Sequence, residues 1–436
     1  MPHVALLRMQ GQILGAQLAQ QCGVAHGMRA KASQHTFQIG LQRARRSIVA
    51  RNAERAGRAD HDAQAITAPN AQGITFFGLR AAVHRRTDSM RIGRAMVASM
   101  PESMSFGDAG QPGRQRIVVL GASGFIGRRV LQMLAASEWA APVGASRRAV
   151  SGTDHGVEML ALDATQGAAL QAALKGAAGV VNCVAGDSDD IVAGARALFD
   201  AASRMTPVPR IVHLSTMMVY GTAVGDVDEG APLKGDWDDY SAAKAEVERL
   251  SRSYGRVVNL RPGIVYGPHS PVWSGWIGQW LRQGRIGDLA EAGLGCCNLV
   301  HVDDVVEAVA RGLRLPGIEG EAFNLSLSSP PTWNDYFRQY AEALGVAVRP
   351  ISHTRLMIEK YLLAPPLKMA QLAARFAPFD APQPIRPWFL RLCGHAQRLD
   401  VRKAERELGM RWMPLEQGLR QTAAWLKTRE GSRGGS

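Results

Sequence analysis

Residues 117–127 read Ile-Val-Val-Leu-Gly-Ala-Ser-Gly-Phe-Ile-Gly, an apolar run closed by Gly121, Gly124 and Gly127 at a three-residue spacing. A helical pattern follows through Val130, Leu131 and Leu134. Strand, glycine turn and helix in that order is the context that gives such a spacing meaning. The first glycine permits a tight turn, the second lets a pyrophosphate approach the backbone, and the third brings helix close to strand. Orphan amides and the helix dipole then favour phosphate at the helix start. Gly121, Ser123, Gly124, Phe125, Ile126 and Gly127 are therefore read as a dinucleotide phosphate loop.

Further apolar runs at 142–145, 157–162, 180–184, 211–214 and 257–260 alternate with helical stretches such as 191–204 and 242–254. This rhythm predicts an α/β fold, a Rossmann-like doubly wound parallel sheet. Ligands of such sheets lie beyond the carboxyl ends of the strands. The second run ends in Ala145-Ser146-Arg147-Arg148, without the carboxylate that would hold the ribose hydroxyls of NAD. Arg147 with Arg148 suits a 2′-phosphate instead, so NADP is favoured over NAD. The plainer alternative is a solvated loop. Asp163, closing the third run, either accepts from an adenine amino group or caps the next helix. Ala185 and Gly186 are small residues where a cofactor would cross the sheet.

Tyr240 and Lys244 stand four apart behind an acidic loop, Asp236 to Asp239, that can cap a helix. At that spacing both side chains share a helix face. A phenol of pKa about 10 is a poor base at neutral pH. A neighbouring ammonium and an oxidised nicotinamide would favour the phenolate, the tuning that proton transfer needs. Ser215-Thr216, after the run 211–214, supplies a hydroxyl to orient a substrate oxygen.

From about 116 to 427 the chain resembles an extended short-chain dehydrogenase/reductase of the NAD-dependent epimerase/dehydratase type. The matching pieces are GASGFIG at 121–127, HLSTMMVYG at 213–221, YSAAK at 240–244, LRPGIVYGP at 260–268 and VHVDDV at 300–305. The resemblance implies Thr216 as the Ser/Thr, Tyr240 as acid/base, Lys244 as the ribose-binding lysine, and Pro262 beside the nicotinamide. It also marks departures. Met217 and Met218 stand where sugar-nucleotide dehydratases carry Asp-Glu, so dehydration is not expected. Cys297 replaces a common Arg, and Ile264 stands in the place of an Asn of galactose-type epimerases. These changes leave room for a less anionic carbonyl or alcohol than a sugar nucleotide. A redox-neutral sugar-nucleotide epimerase, and a non-enzymatic cofactor-binding regulator or scaffold on the same fold, remain the rival readings.

The chain has 436 residues, 46% hydrophobic and 20% charged, as suits a soluble folded protein with a sizeable core. No stretch approaches the roughly 18 apolar residues of a membrane span. Five scattered cysteines without a Cys-x-x-Cys pair suggest a reduced, cytoplasmic protein and no metal. Of the +13 net charge, +8 falls in residues 1–112, an Arg-rich segment read as a disordered or spurious extension. A targeting leader and a nucleic-acid-binding arm are the lesser alternatives there, and no nucleic-acid partner is expected.

The expected organisation is a dinucleotide-binding domain at 113–268 with later contributions, a smaller, mostly helical substrate-binding region at 269–430, and a tail at 431–436. Helices are predicted over 273–281, 305–315 and 333–344. The Pro-rich, apolar stretch 355–393 reads as a helical lid, with peripheral membrane contact the weaker alternative. A homodimer is left open. Asp304 with Glu307 reads as a capping box, and His213 and His301 as satisfied core histidines. Met217 and Met218 line a pocket or fill core gaps; the sequence does not choose.

Overall fold

The run that opens the motif folds as β1 (Gln115–Leu120), followed by helix α1 (Phe125–Ala136). In the computed structural model the described residues are 113–147, 152–154, 156–363, 366–367 and 383–431. The expectations for 1–112, for Arg148, for most of 364–382 and for 432–436 fall outside them.

The chain continues through β2 (Ala140–Ser146), β3 (Gly152–Asp154), β4 (Val157–Ala161), α2 (Gly167–Ala173), β5 (Gly179–Asn182), α3 (Ser188–Ser203) and β6 (Arg210–Leu214). After a 3-10 turn at Met217–Tyr220 come β7 (Gly225–Val227), α4 (Asp239–Tyr254), β8 (Val257–Pro262) and β9 (Ile264–Tyr266). The main sheet has the order β11-β8-β6-β5-β1-β2-β4-β3, where β11 is Ala322–Leu325. Seven strands run parallel and β3 closes one edge antiparallel. The order reverses at β1, whose neighbours are β2 and β5, so a crevice forms beyond its carboxyl end.

Both faces of β1 are buried, which is why its sequence is continuously apolar rather than alternating. Ile117 and Val119 pack with Val130, Val305 and Val309 on one face. Val118 and Leu120 pack with Leu198 and Val247 on the other. Helix α4 starts as its acidic loop predicts. Asp238 accepts from the Ser241 amide at 2.8 Å, and the Ser241 hydroxyl accepts from the Asp238 amide at 2.9 Å.

Beyond 268 the chain forms α5 (Ile277–Arg282), β10 (Leu299–His301), α6 (Val302–Arg314), β11, α7 (Trp333–Leu344), α8 (His353–Met357), α9 (Pro387–Cys393), β12 (Gln397–Leu399), α10 (Arg402–Glu407) and α11 (Leu415–Gly431). The helix expected over 273–281 begins instead as a π-type turn at Pro271–Trp276. The strand β11 was missed: a four-residue run is too short to announce itself, yet it pairs with β8 and completes the main sheet. Around α5, α7 and α9 an aromatic core gathers Trp280, Trp333, Tyr336, Phe337, Tyr340 and Phe389. Each such side chain contributes roughly 1.5–3 kcal/mol by leaving water. Phe389 thus docks part of the Pro-rich stretch on the core, while Tyr361 and Leu362 of the same stretch are exposed.

The capping box expected at Asp304 does not form. Helix α6 starts two residues earlier, and His301 caps it, its Nδ1 accepting from the Asp303 amide at 3.2 Å. Asp303 instead accepts from Arg129 Nε at 2.7 Å, and Asp304 from the Met413 amide at 3.0 Å. The core histidines are not fully satisfied either. Both ring nitrogens of His213, and Nε2 of His301, are buried without a hydrogen-bond partner. Burial holds both imidazoles neutral, pushing His301 down to about 4.

Candidate active site

The glycine turn is fastened to its neighbours through backbone. The Gly121 and Ala122 amides donate to the Ala145 carbonyl at 2.9 and 3.1 Å, and the Gly124 amide donates to Gly121 O at 2.9 Å. Gly121 has φ +75°, and a Cβ there would stand 2.7 Å from the Cys183 carbonyl oxygen at the end of β5. A Cβ on Gly127 would lie 2.3 Å from Gly121 O, so the third glycine lets helix and turn touch. Gly124 differs. A Cβ there meets only Gly121 O at 3.2 Å, and the residue is exposed. No side chain caps the start of α1 and its first turn holds no acid. An exposed Gly124 and amides that no side chain caps suit a pyrophosphate, so this chain fits a dinucleotide. Ser123 Oγ lies 2.7 Å from Ser146 Oγ, tying the turn to β2. Phe125 and Ile126 turn their side chains to the core, leaving their backbone for a ligand.

On the adenosine side the predicted residues are engaged within the protein. Asp163 Oδ1 accepts from the amide and hydroxyl of Thr165, at 3.0 and 2.9 Å, in the turn before α2. Those bonds hold its carboxyl below the usual range, with Arg147 adding a smaller pull. Arg147 donates to Asp190 Oδ2 at 2.9 Å across an exposed gap. Ala185 and Gly186 are exposed just past β5.

Thr216, Tyr240 and Lys244 do come together. Lys244 Nζ, 2% exposed as a residue, donates to Leu214 O at 2.8 Å and Val184 O at 3.2 Å, bridging the ends of β6 and β5. It lies 5.9 Å from the centre of the Tyr240 ring. The Thr216 side chain lies near enough to the Tyr240 hydroxyl to favour its ionised form. Thr216 Oγ1 accepts from the Met218 amide at 3.2 Å, which sets its rotamer. Pro262 is buried at the end of β8.

The electrostatics of the free chain are set chiefly by burial. Burial pushes the Tyr240 phenol up to about 12, Asp238 adds to this, and Thr216 only partly opposes it. The lowering expected from the lysine and an oxidised nicotinamide belongs to the cofactor-bound site, and in the free chain burial is the largest influence. Burial likewise pushes the Lys244 ammonium down to about 8, against the pull of Cys183 and Glu248. The Cys183 thiol beside it rises to about 12.

Of the two hydroxyls at 215–216, only Thr216 reaches Tyr240. Ser215 Oγ donates to Glu248 Oε1 at 2.5 Å. Glu248 was not singled out from sequence, although it continues the spacing of Tyr240 and Lys244 by one more turn. Its carboxylate also receives Arg261, with Nε 3.0 Å from both oxygens and Nη2 2.5 Å from Oε2. Arg261 passes the chain on to the Tyr220 hydroxyl at 2.7 Å, which donates to Asn324 at 2.6 Å. Met217 is core and contacts Asn298, whereas Met218 is half-buried. Arg391 of α9 stacks on Trp237, its guanidinium carbon 3.9 Å from the ring centre, so the carboxyl-terminal region touches the loop before α4. Among the described residues no group of three or more His, Cys, Asp or Glu could hold a metal, and no helix is long and apolar enough to cross a membrane.

Known proteins share this fold. The model of the NAD dependent epimerase/dehydratase family matches residues 117–326. Protein YeeZ of Escherichia coli (strain K12) is 28% identical over 141 residues, 32% of this chain and 47% of that protein, so the chain spans about half the length of this curated relative. Among solved structures, MoeE5 in complex with UDP-glucose and NAD superposes with a TM-score of 0.56 at 21% identity, over 72% of this chain and 99% of that one. The UDP-glucose 4-epimerase of Thermotoga maritima with UDP-glucose gives 0.57 at 19% identity, over 72% and 100%. At these identities the structures speak for the fold.

Proposed function

Through residues 117–326 the chain belongs to the NAD dependent epimerase/dehydratase family, and on that premise we propose that it catalyses reversible hydride transfer at a secondary alcohol or ketone. The observation that carries this reading is the convergence of Thr216, Tyr240 and Lys244 at the ends of β5 and β6, next to the glycine turn. A nicotinamide cofactor supplies or accepts the hydride. Gly121, Gly124 and Gly127 would hold its pyrophosphate, and Lys244 its ribose. Thr216 orients the substrate oxygen, and Tyr240 exchanges the proton with it. With its phenol pushed up to about 12, Tyr240 is a proton donor at neutral pH.

NADP is the proposed cofactor. The Arg147–Asp190 pair is exposed and holds only about 0–1 kcal/mol, so Arg147 can be recruited by a 2′-phosphate at small cost. A second reading, sugar-nucleotide epimerisation without net redox, is favoured by the UDP-glucose held by MoeE5. Incubation with NADPH or NADH and a panel of ketones, and separately with UDP-glucose and NAD, decides between them. Stoichiometric loss of reduced cofactor supports the oxidoreductase; an epimer formed without net cofactor change supports the epimerase. The absence of binding to either cofactor refutes both.

A further inference from the structure

We propose that Glu248 and Ser215 are positioning residues that hold Thr216 against Tyr240, an inference that rests on the acid/base role just given to Tyr240. Residues 240, 244 and 248 are spaced by four on α4, and all three side chains face the ends of β6 and its neighbours. Ser215 directly precedes Thr216 and is held at two points. Its amide donates to Leu260 O on β8 at 2.8 Å, and its hydroxyl donates to Glu248 at 2.5 Å. Glu248 is itself immobilised by the three contacts from Arg261, which is anchored further by Tyr220 and by the Glu229 carbonyl at 3.1 Å. Ser215, Glu248 and Arg261 are each under 5% exposed, so water does not compete for these bonds.

The geometric consequence is specific. Glu248 belongs to the same helix as Tyr240, and Ser215 is covalently adjacent to Thr216. The Ser215–Glu248 bond therefore closes a ring through α4 and the end of β6 whose other closure is the Thr216–Tyr240 contact. Packing alone would seat the helix on the sheet, but only a directional bond fixes how far the strand end reaches toward the phenol. Glu248 lies near Lys244 as well and favours its charged form. The carboxylate thus supports both groups assigned to proton and ribose handling without touching either ligand.

The test uses the full chain labelled with [13Cζ]tyrosine, which gives seven resonances. Tyr240→Phe assigns the one of interest. Thr216→Ala is expected to move the Tyr240 resonance, because it deletes the direct contact. Ser215→Ala, which leaves the Glu248–Arg261 pair intact, is expected to move it in the same direction by about half as much or more. Ser215→Thr, which keeps the hydroxyl, is expected to restore it. Tyr266, Tyr336 and Tyr340 stay in place, since they belong to the aromatic core. An unmoved Tyr240 signal in Ser215→Ala, or a shift of all the tyrosines together, overturns the proposal. Glu248→Gln serves as a second arm. It strips the charge facing Arg261 and is expected to move Tyr220 along with Tyr240, whereas Ser215→Ala leaves Tyr220 unchanged. Movement of Tyr220 alone would overturn the coupling. A protein that binds no nicotinamide cofactor would refute the proposed function and leave these resonance shifts as a separate outcome.

Discussion

Lys244 is the residue whose removal tests the site most sharply, because the structure gives its charge a cost with a defined pH window. Its ammonium sits at about 8 in the folded chain against 10.5 when unburied, chiefly because burial strips its water. Below pH 8 the folded and unfolded chains both hold the proton, and the penalty is present in full. Between pH 8 and 10.5 the unfolded chain still holds it while the folded chain releases it, so stability rises with pH. Above 10.5 neither holds it and the contribution is flat. The gain attributable to Lys244 is on the order of 1 kcal/mol by pH 9 and 2–3 kcal/mol by pH 10.

Other groups titrate in the same range with the opposite sign. Cys183 and Tyr240 have folded pKa values above their unfolded ones, so each removes stability as pH rises. The measurement must therefore be a difference between wild type and Lys244→Met. The variant also leaves Leu214 O and Val184 O without their donor. That loss is the same at every pH and cancels from the slope. Urea unfolding followed by tryptophan fluorescence at pH 7, 8, 9 and 10 should show wild type gaining on the variant by roughly 2–3 kcal/mol. Parallel curves, within about 0.5 kcal/mol across that range, would refute the assignment of a buried, charged Lys244.

Three further outcomes are expected. Tyr240→Phe should lower turnover roughly 10²–10⁴-fold while cofactor affinity, read by quenching of protein fluorescence, stays within about twofold. Gly127→Ala should destabilise the chain by roughly 1–3 kcal/mol, because its Cβ would press on backbone at 2.3 Å. Gly124→Ala, whose Cβ would stand 3.2 Å from Gly121 O, should lose less stability than Gly127→Ala but bind cofactor more weakly, so equal melting losses for the two would contradict the division of labour drawn above. Arg147→Ala should weaken NADPH binding about tenfold and leave NADH unchanged; equal effects on both would remove the case for a 2′-phosphate contact.

The sheet was legible because β1 carries its evidence locally: an apolar run, a glycine turn and a helix are contiguous. The convergence of Thr216, Tyr240 and Lys244 was legible for a related reason, since each motif marks the end of a strand or the start of a helix. What the sequence withheld depends on partners far along the chain. Asp304 looks like a cap because acids usually occupy that place. Its carboxylate instead accepts from Met413, 109 positions on, while His301 caps from the strand before it. Ser215 and Thr216 are indistinguishable as hydroxyls until Glu248, 33 positions away, claims one of them. The rise of the Tyr240 phenol in the free chain was not legible because adjacent charge can be read from spacing, whereas burial requires the surrounding fold.

That burial also bears on why α4 carries such a face at all. A helix packed against a parallel sheet would be most stable with apolar residues where Tyr240, Lys244 and Glu248 stand. Instead Lys244 is buried at the expense of its own charge, and Glu248 is buried against Arg261, whose removal would leave its carboxylate without that partner. Replacing a buried ion pair with apolar side chains is often neutral or stabilising. Stability alone therefore does not account for these residues, and strained or costly groups of this kind gather where chemistry needs them. The same helix face is apolar at Ala243 and Val247, which line the neighbouring core. The polar groups thus form a single narrow stripe, confined to the side that meets the ends of β5, β6 and β8, where the glycine turn would place a cofactor.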